Sequence, residues 1–251
     1  MTPQSPPVVP GQPTPATAPR QPDTGSGGDL SGARGNFTRF ARTGSSSSLG
    51  KAVSQYVSKG TGGPRRAARR MGAAQGAARG LLGVVRDFQR LGPVEALRQL
   101  NLDGLAGQPA TDVFVAILEF ICPPGGTVDE GIARQAMLET ISDFADAETG
   151  SFDSLTREQL QDFFLDFIAR SIEGRVMADI GGRGVTLPED VEAVQDTQDQ
   201  LHDFIDGATR GQLQGRLANV DRLSDQAIAD VVSQIYEAAF ELIVAAGESA
   251  S

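Results

Sequence analysis

Beyond residue 36, apolar side chains recur three and four positions apart, and no segment alternates with period two over a useful length. That spacing predicts an all-α fold. The stretch from Gly63 to Leu91, GPRRAARRMGAAQGAARGLLGVVRDFQRL, reads as one helix. Pro64 suits its first turn, where a missing N–H is harmless. Met71, Ala74, Ala78, Leu81, Val85 and Phe88 form one apolar stripe, and Arg65, Arg69, Arg79, Arg86 and Arg90 fall roughly opposite. Gly72, Gly76 and Gly80 repeat every four residues on the arginine side. Together they cost about 2–3 kcal/mol of helix propensity relative to alanine. Bare backbone of this kind serves tight packing between helices, or close approach by another chain or a phosphate backbone.

The same spacing marks the other helices. Asn36 to Arg42 forms a short one with Phe37 and Phe40 on one side. Ser48 caps the next, which carries Leu49, Val53 and Tyr56 or Val57 and stops at Gly60, Gly62 and Gly63. Gly92-Pro93 ends the arginine-rich helix, and Val94 to Leu100 makes a short successor. Thr111 caps Asp112 to Ile121, and Cys122-Pro123-Pro124-Gly125-Gly126 breaks the chain. Thr127 with Glu130 and Thr156 with Gln159 are capping boxes. The first opens a helix to about Ala147 that is apolar on two sides and expected to be well buried. The second opens the most apolar helix, with Leu160, Phe163, Phe164, Phe167, Ile168, Ile172, Val176 and Ile180, expected at the centre of the core. Leu187-Pro188 starts another, with Val191, Val194, Leu201, Phe204 and Ile205 inward and an unclear end near Gly207. Residues 210–220 form a further short helix, and Ser224 caps the last.

Composition divides the chain. Residues 1–23 hold eight of the fourteen prolines, and Asp23 to Gly35 is Gly/Ser-rich. Residues 1–35 therefore read as a disordered leader. Residues 36–91 read as a basic helical segment and 92–247 as an acidic, irregular α-helical domain. Residues 1–91 carry thirteen Lys/Arg against three Asp, a net of +10; residues 92–251 carry nine against twenty-nine, a net of −20. Such asymmetry fits a basic arm for nucleic acid or a membrane surface. It equally fits an arm that docks on the chain's own acidic half, or on a second copy. There is no long apolar run and no secretory signal pattern, and the single cysteine, Cys122, excludes an intrachain disulfide. A cytoplasmic protein fits these features.

Catalytic and metal motifs do not rise above background. Gly44 to Lys51, GSSSSLGK, has five residues between its glycines where a phosphate-binding loop has four, and Ala52 where Ser or Thr should bind magnesium. Gly181 to Gly184 follows a helix and is too short for a dinucleotide fingerprint. The acidic run Asp146, Glu148, Gly150, Asp153 fails the register of a calcium loop. His202, the only histidine, reads as surface decoration beside Asp203. Cys122 reads as a small buried hydrophobe. No metal, no cofactor and no enzyme activity is expected. The basic segment, residues 34–90, remains as a nucleic-acid or partner contact, with Arg65, Arg69, Arg79, Arg86 and Arg90 able to meet phosphates or a partner protein, and Gly72, Gly76 and Gly80 able to pack against a second copy.

From Gly35 the text GNFTRFARTGSSSSLGKAVSQYVSKGTGGPRRAARRMGAAQGAARGL resembles the B component of Qat anti-phage defence systems. The resemblance continues in GPVEALRQLNLDGLAGQPATDVF, CPPGGTVDEGIARQA and DIGGRGVTLPEDV, and covers roughly residues 32–207. It implies a bacterial defence role beside a P-loop ATPase, a protein similar to the deazaguanine synthase QueC and a TatD-like nuclease. It implies a non-enzymatic adaptor, or a protein substrate whose N-terminal leader is modified by the QueC-like partner. Members begin with Gly after Met and a short Gly/Ser/Thr-rich run, whereas this chain begins Met1-Thr2-Pro3.

Overall fold

The computed structural model describes residues 28–147, 150–181, 185 and 190–250. Residues 1–27, most of the expected leader, lie outside them, as do 182–184 of the glycine run and Leu187-Pro188. Among the described residues there are ten α-helices and no strand: α1 Ser31–Thr43, α2 Ser46–Gln55, α3 Pro64–Arg69, α4 Gly72–Leu91, α5 Pro93–Arg98, α6 Ala110–Ile121, α7 Val128–Asp146, α8 Arg157–Ile180, α9 Val191–Gln214 and α10 Asp225–Ser249. The all-α reading holds.

Helix starts follow local chemistry. Thr127 and Thr156 accept the N–H groups of Glu130 and Gln159, whose side chains reach back to the cap N–H groups, so both capping boxes form. Ser224 accepts the N–H of Ala227 and caps α10. Where the structure departs from expectation, a nearby partner decides. α1 begins at Ser31, inside the expected leader, because the Asp29 carboxylate accepts the Ser31 N–H at 2.8 Å. Ser45, not Ser48, caps α2. Pro109, not Thr111, precedes α6, whose first N–H, that of Ala110, reaches the Gly150 carbonyl. α9 runs on to Gln214, so no separate helix spans 210–220 beyond short 3-10 turns.

The expected single helix over 64–91 is two. α3 ends at Arg69, and the chain turns at Arg70 and Met71 before α4 resumes at Gly72. The turn is held locally: the Met71 N–H bonds to the Ala68 carbonyl in a tightened turn, and the Gln75 side-chain amide donates to the same oxygen at 2.7 Å. The predicted stripe survives, with Met71, Ala74, Ala78, Leu81 and Val85 buried and Phe88 packed against them.

α8 is the hub. Its eight predicted core residues are all buried, and α1, α4, α7 and α9 pack around it. At one end an aromatic cluster joins four elements: Phe114 of α6 stacks on Phe163 of α8 with ring centres 3.9 Å apart, while Phe144 of α7 and Phe152 meet them edge-on. α7 is less buried than expected, since Val128 and Leu138 are exposed; Val191 at the start of α9 is 82% exposed, not inward.

One contiguous core runs from Ala33 to Ile243. The basic segment and the acidic domain, separate by charge, therefore share one interior. Their tightest crossing is α2 on α10. The second glycine of the loop-like GSSSSLGK run, Gly50, lies there inside a helix, against Gly247. A Cβ on Gly247 would fall on the Gly50 carbonyl oxygen and within 2.9 Å of Ser54 Cβ. Gly247→Val is therefore expected to lower stability by about 2–3 kcal/mol, the cost of overpacking, measured by urea unfolding; an unchanged midpoint would show that this crossing opens freely.

Candidate functional site

The cations of the front half fall into two groups. The first is consumed inside the molecule. Tyr56 lies in a π-helical turn, Tyr56–Gly60, that follows α2, and its buried hydroxyl donates to Asp179 Oδ2 of α8 at 2.9 Å. Burial, and then the nearby Asp179 charge, hold the Tyr56 phenol far above its usual range. The same carboxylate meets Arg70 at 3.0 Å and Arg175 at 3.4 Å. Arg175 also pairs with Asp129 of α7, and Arg34 of α1 donates to the Asp179 carbonyl at 3.1 Å. Further along, Arg86 is only 9% exposed and binds Asp87 at 2.9 Å and Asp225 of α10 at 2.6 Å. Arg65 meets Glu237 of α10 at 3.1 Å on the surface, and Arg90 meets Asp87 at 3.2 Å. Of the docking alternatives for the basic segment, the structure shows the chain's own acidic half.

A second network lies between α7, α8 and α9. His202 is not surface decoration. Its imidazole is largely buried between Asp166 and Glu173 of α8, at 3.4 and 3.3 Å, although Nδ1 is poorly aligned as a donor to Glu173. Arg170 and Arg210 flank it and bind Asp143 and Asp206, and Thr140 donates to Asp166 at 2.7 Å. Burial alone would lower the His202 pKa; the two carboxylates override it and raise it to about 9. The imidazolium thus latches α9 to α8. Cys122 is buried as expected, and burial pushes its thiol up to about 11.

The second group of cations stays outside. Arg69 and Arg79 are exposed and have no carboxylate partner among the described residues; the same holds for Arg66 and, on α1 and α2, for Arg39, Arg42 and Lys51. Arg65, Arg66 and Arg69 border a shallow cleft of about 420 Å³ against Glu237 and Glu241. On α4 the glycines separate by use. Gly80 lies against Ile121 of α6, where a Cβ would come within 2.7 Å of Cγ2, so this glycine serves internal packing. Around Gly72 nothing lies within 4 Å of an added Cβ, and around Gly76 only the Arg79 guanidinium does. The eight residues of the expected surface thus divide: Arg86 is interior, Gly80 is packed, Arg65 and Arg90 are paired, and Arg69, Gly72, Gly76 and Arg79 remain outward.

No group of three or more metal-binding side chains gathers among the described residues, and no helix there is long and apolar enough to cross a membrane. The Asp146 side chain and residues 148–149 of the acidic run lie outside them. Sequence reasoning missed Asp179 and the His202 site. The signal was present: α8 is apolar on every side, so its own charges at 166, 170, 173, 175 and 179 cannot all reach water.

The fold and these networks define an all-helical protein whose basic and acidic halves are locked together by ion pairs. The family model for Qat anti-phage system associated protein QatB matches residues 62–243, and the chain belongs to the QatB family. It is thereby a component of Qat anti-phage defence. No curated protein and no solved structure matches the chain, so the family model carries the assignment.

Two outcomes follow from the networks. Because the folded-state pKa of His202 is raised, its stabilisation is complete below the ordinary value of 6.5 and is lost as pH rises through about 9. Wild-type stability in urea is expected to fall across that window, and His202→Gln to remove this part of the slope; a wild-type profile identical to that of the variant would refute the latch. Asp179→Ala leaves Arg70 and Arg175 facing each other without their carboxylate and is expected to cost about 3 kcal/mol, while Tyr56→Phe costs about 1 kcal/mol, a single hydrogen bond. Equal losses in the two variants would mean that the hub works through the tyrosine alone.

Proposed function

We propose that this chain is a non-enzymatic binding component of its Qat system, an adaptor or protein substrate that engages the P-loop ATPase or the QueC-like protein, with the TatD-like nuclease as a further partner, in the bacterial cytoplasm. One observation carries the reading. Within the segment that matches the family, α3 and α4 present cations without carboxylate partners and glycines without internal neighbours, while Arg70 and Arg86 of the same stretch are spent on the fold. Glycine in a helix interior is unfavourable by about 1 kcal/mol relative to alanine, and at Gly76 no packing against another element repays it; Gly72, the first residue of α4, is bare as well. A surface kept bare at that cost suits a chain that is approached closely by another. The Pro/Gly/Ser-rich residues 1–27 precede this body and supply the segment that a modifying partner would take.

The alternative is a nucleic-acid-binding adaptor. Of the arginines expected to meet phosphates it keeps Arg69 and Arg79 unpaired, and α3 adds the exposed Arg66, whereas Arg86 is withdrawn into the core. A second copy packed on Gly72 and Gly76 is a weaker variant of the same surface.

Co-expression of the full chain with each neighbouring Qat gene separates these readings. Under gentle salt it is expected to co-purify with the ATPase or the QueC-like protein, and intact mass read on the same samples reports whether residues 1–27 gain a modification. Absence of any such complex refutes the adaptor. Nucleic-acid binding through three arginines would weaken with salt with a logarithmic slope of about −2 to −3; binding that ignores salt, or none, removes that alternative.

A further inference from the structure

The geometry points to the groove between α4, α5 and the start of α10 as the docking site for a segment of a partner protein that inserts apolar side chains there and sets a carboxylate against Arg79. This inference rests on the binding-component reading and gives it a location. The groove has a volume of about 340 Å³, and its floor is apolar, formed by Val84, Ala96, Leu100 and Ile228. Gly83 opens it. This residue lies in the interior of α4, yet no atom lies within 4 Å of an added Cβ, so neither a close contact nor a positive φ requires glycine. Any larger side chain at 83 would project into the space that the groove leaves empty.

The rim gives the partner its charge. Asp87 and Asp225 border the groove, and both carboxylates are already bound by Arg86. Arg79 borders it too, is exposed, and has no carboxylate partner among the described residues. The open charge at the rim is therefore positive. A carboxylate placed there pairs the one rim charge left without a partner among the described residues, whereas an incoming cation would compete with Arg86. Beyond the groove the same face of α4 ends at Leu91, which is 47% exposed, so the apolar surface continues past the floor. An apolar floor with a charged rim is the usual anatomy of a protein interface.

The test uses the full-length chain and, as probes, the purified ATPase and QueC-like protein encoded beside it, titrated by calorimetry. Gly83→Leu is expected to weaken the wild-type complex by at least about tenfold, as loss of an interface anchor does, with helix content and melting temperature kept or raised. Arg79→Glu is expected to weaken it to a similar extent, and Arg79→Lys to retain it within about threefold. Arg79 lies at the surface, so its variants report even if Gly83→Leu fails to fold. If both Gly83→Leu and Arg79→Glu bind as tightly as wild type, the groove is overturned and the adaptor reading stands. If the wild-type chain binds neither probe, both fall. If Gly83→Leu changes only the mass of the chain by itself in light scattering, the occupant is a second copy and the partner segment is overturned. If only Arg79→Glu weakens the complex, and added salt reproduces its loss, the contact is a surface charge without insertion, and the groove is again overturned.

Discussion

The Asp179 carboxylate is the point on which the two halves of this chain depend. It sits near the end of the most buried helix, only partly open to water, and two cations converge on it there. Arg175 supplies one from its own helix. The other, Arg70, comes from the break between α3 and α4, and Tyr56 donates from the π turn behind α2. Each donor belongs to a different element, so satisfying one carboxylate fixes the relative placement of several helices. Removing any of these donors leaves charge in a part of the molecule that cannot solvate it well. Part of the net charges of +10 and −20 on the two halves is thus spent on internal assembly.

Shape enforces the same assembly. α2 and α10 are far apart in sequence, and they meet through Gly50, Ser54 and Gly247, residues too small to hold the backbones apart. A serine-rich run that resembles a nucleotide loop on paper is, in three dimensions, a low-profile helix face. Its second glycine is there because another helix backbone is too close for a side chain. The family match ends before Gly247 and begins after Gly50, so this crossing adds a clasp outside the matched body while burying Leu49, Val53 and Tyr56 in the same core.

What the sequence made legible was local. Capping boxes at Thr127 and Thr156 and the cap at Ser224 depend on residues three apart, and all three formed as read. The core stripes of α4 and α8 depend on helical spacing alone, and they too were legible. The break at Met71 was not, because it is held by Gln75 reaching back to Ala68 and by the pull of Asp179 on Arg70, neither of which has a spacing rule. His202 was misread for the same reason. Beside Asp203 on an acidic helix it looked solvated, yet its ring faces the other way, onto carboxylates of α8 some thirty residues earlier. Arg86 lay with the exposed arginines on a helical wheel, but the turn at Val220–Arg222 and the start of α10 cover that part of α4. Sequence spacing identifies the face of a helix; only the tertiary fold says which faces are covered.

Covering has a consequence for what the surface can recognise. Once Arg34, Arg65, Arg70, Arg86 and Arg90 are committed inside the chain, the molecule still carries a net charge of −10. The carboxylates at Glu192, Asp196, Asp199 and Asp203 face outward along α9 without a cation among the described residues. A field of that sign repels a polyanion at distances comparable with the Debye length, about 8 Å at physiological salt. Nucleic acid would therefore have to be held by the unpaired cations of α1 to α4 against the charge of the whole body. A protein segment carrying one or two carboxylates meets far less opposition than a polyanion, because it pairs locally and can draw the rest of its contact from apolar surface. The charge balance, and not the presence of arginines as such, favours a protein over a phosphate backbone at this face.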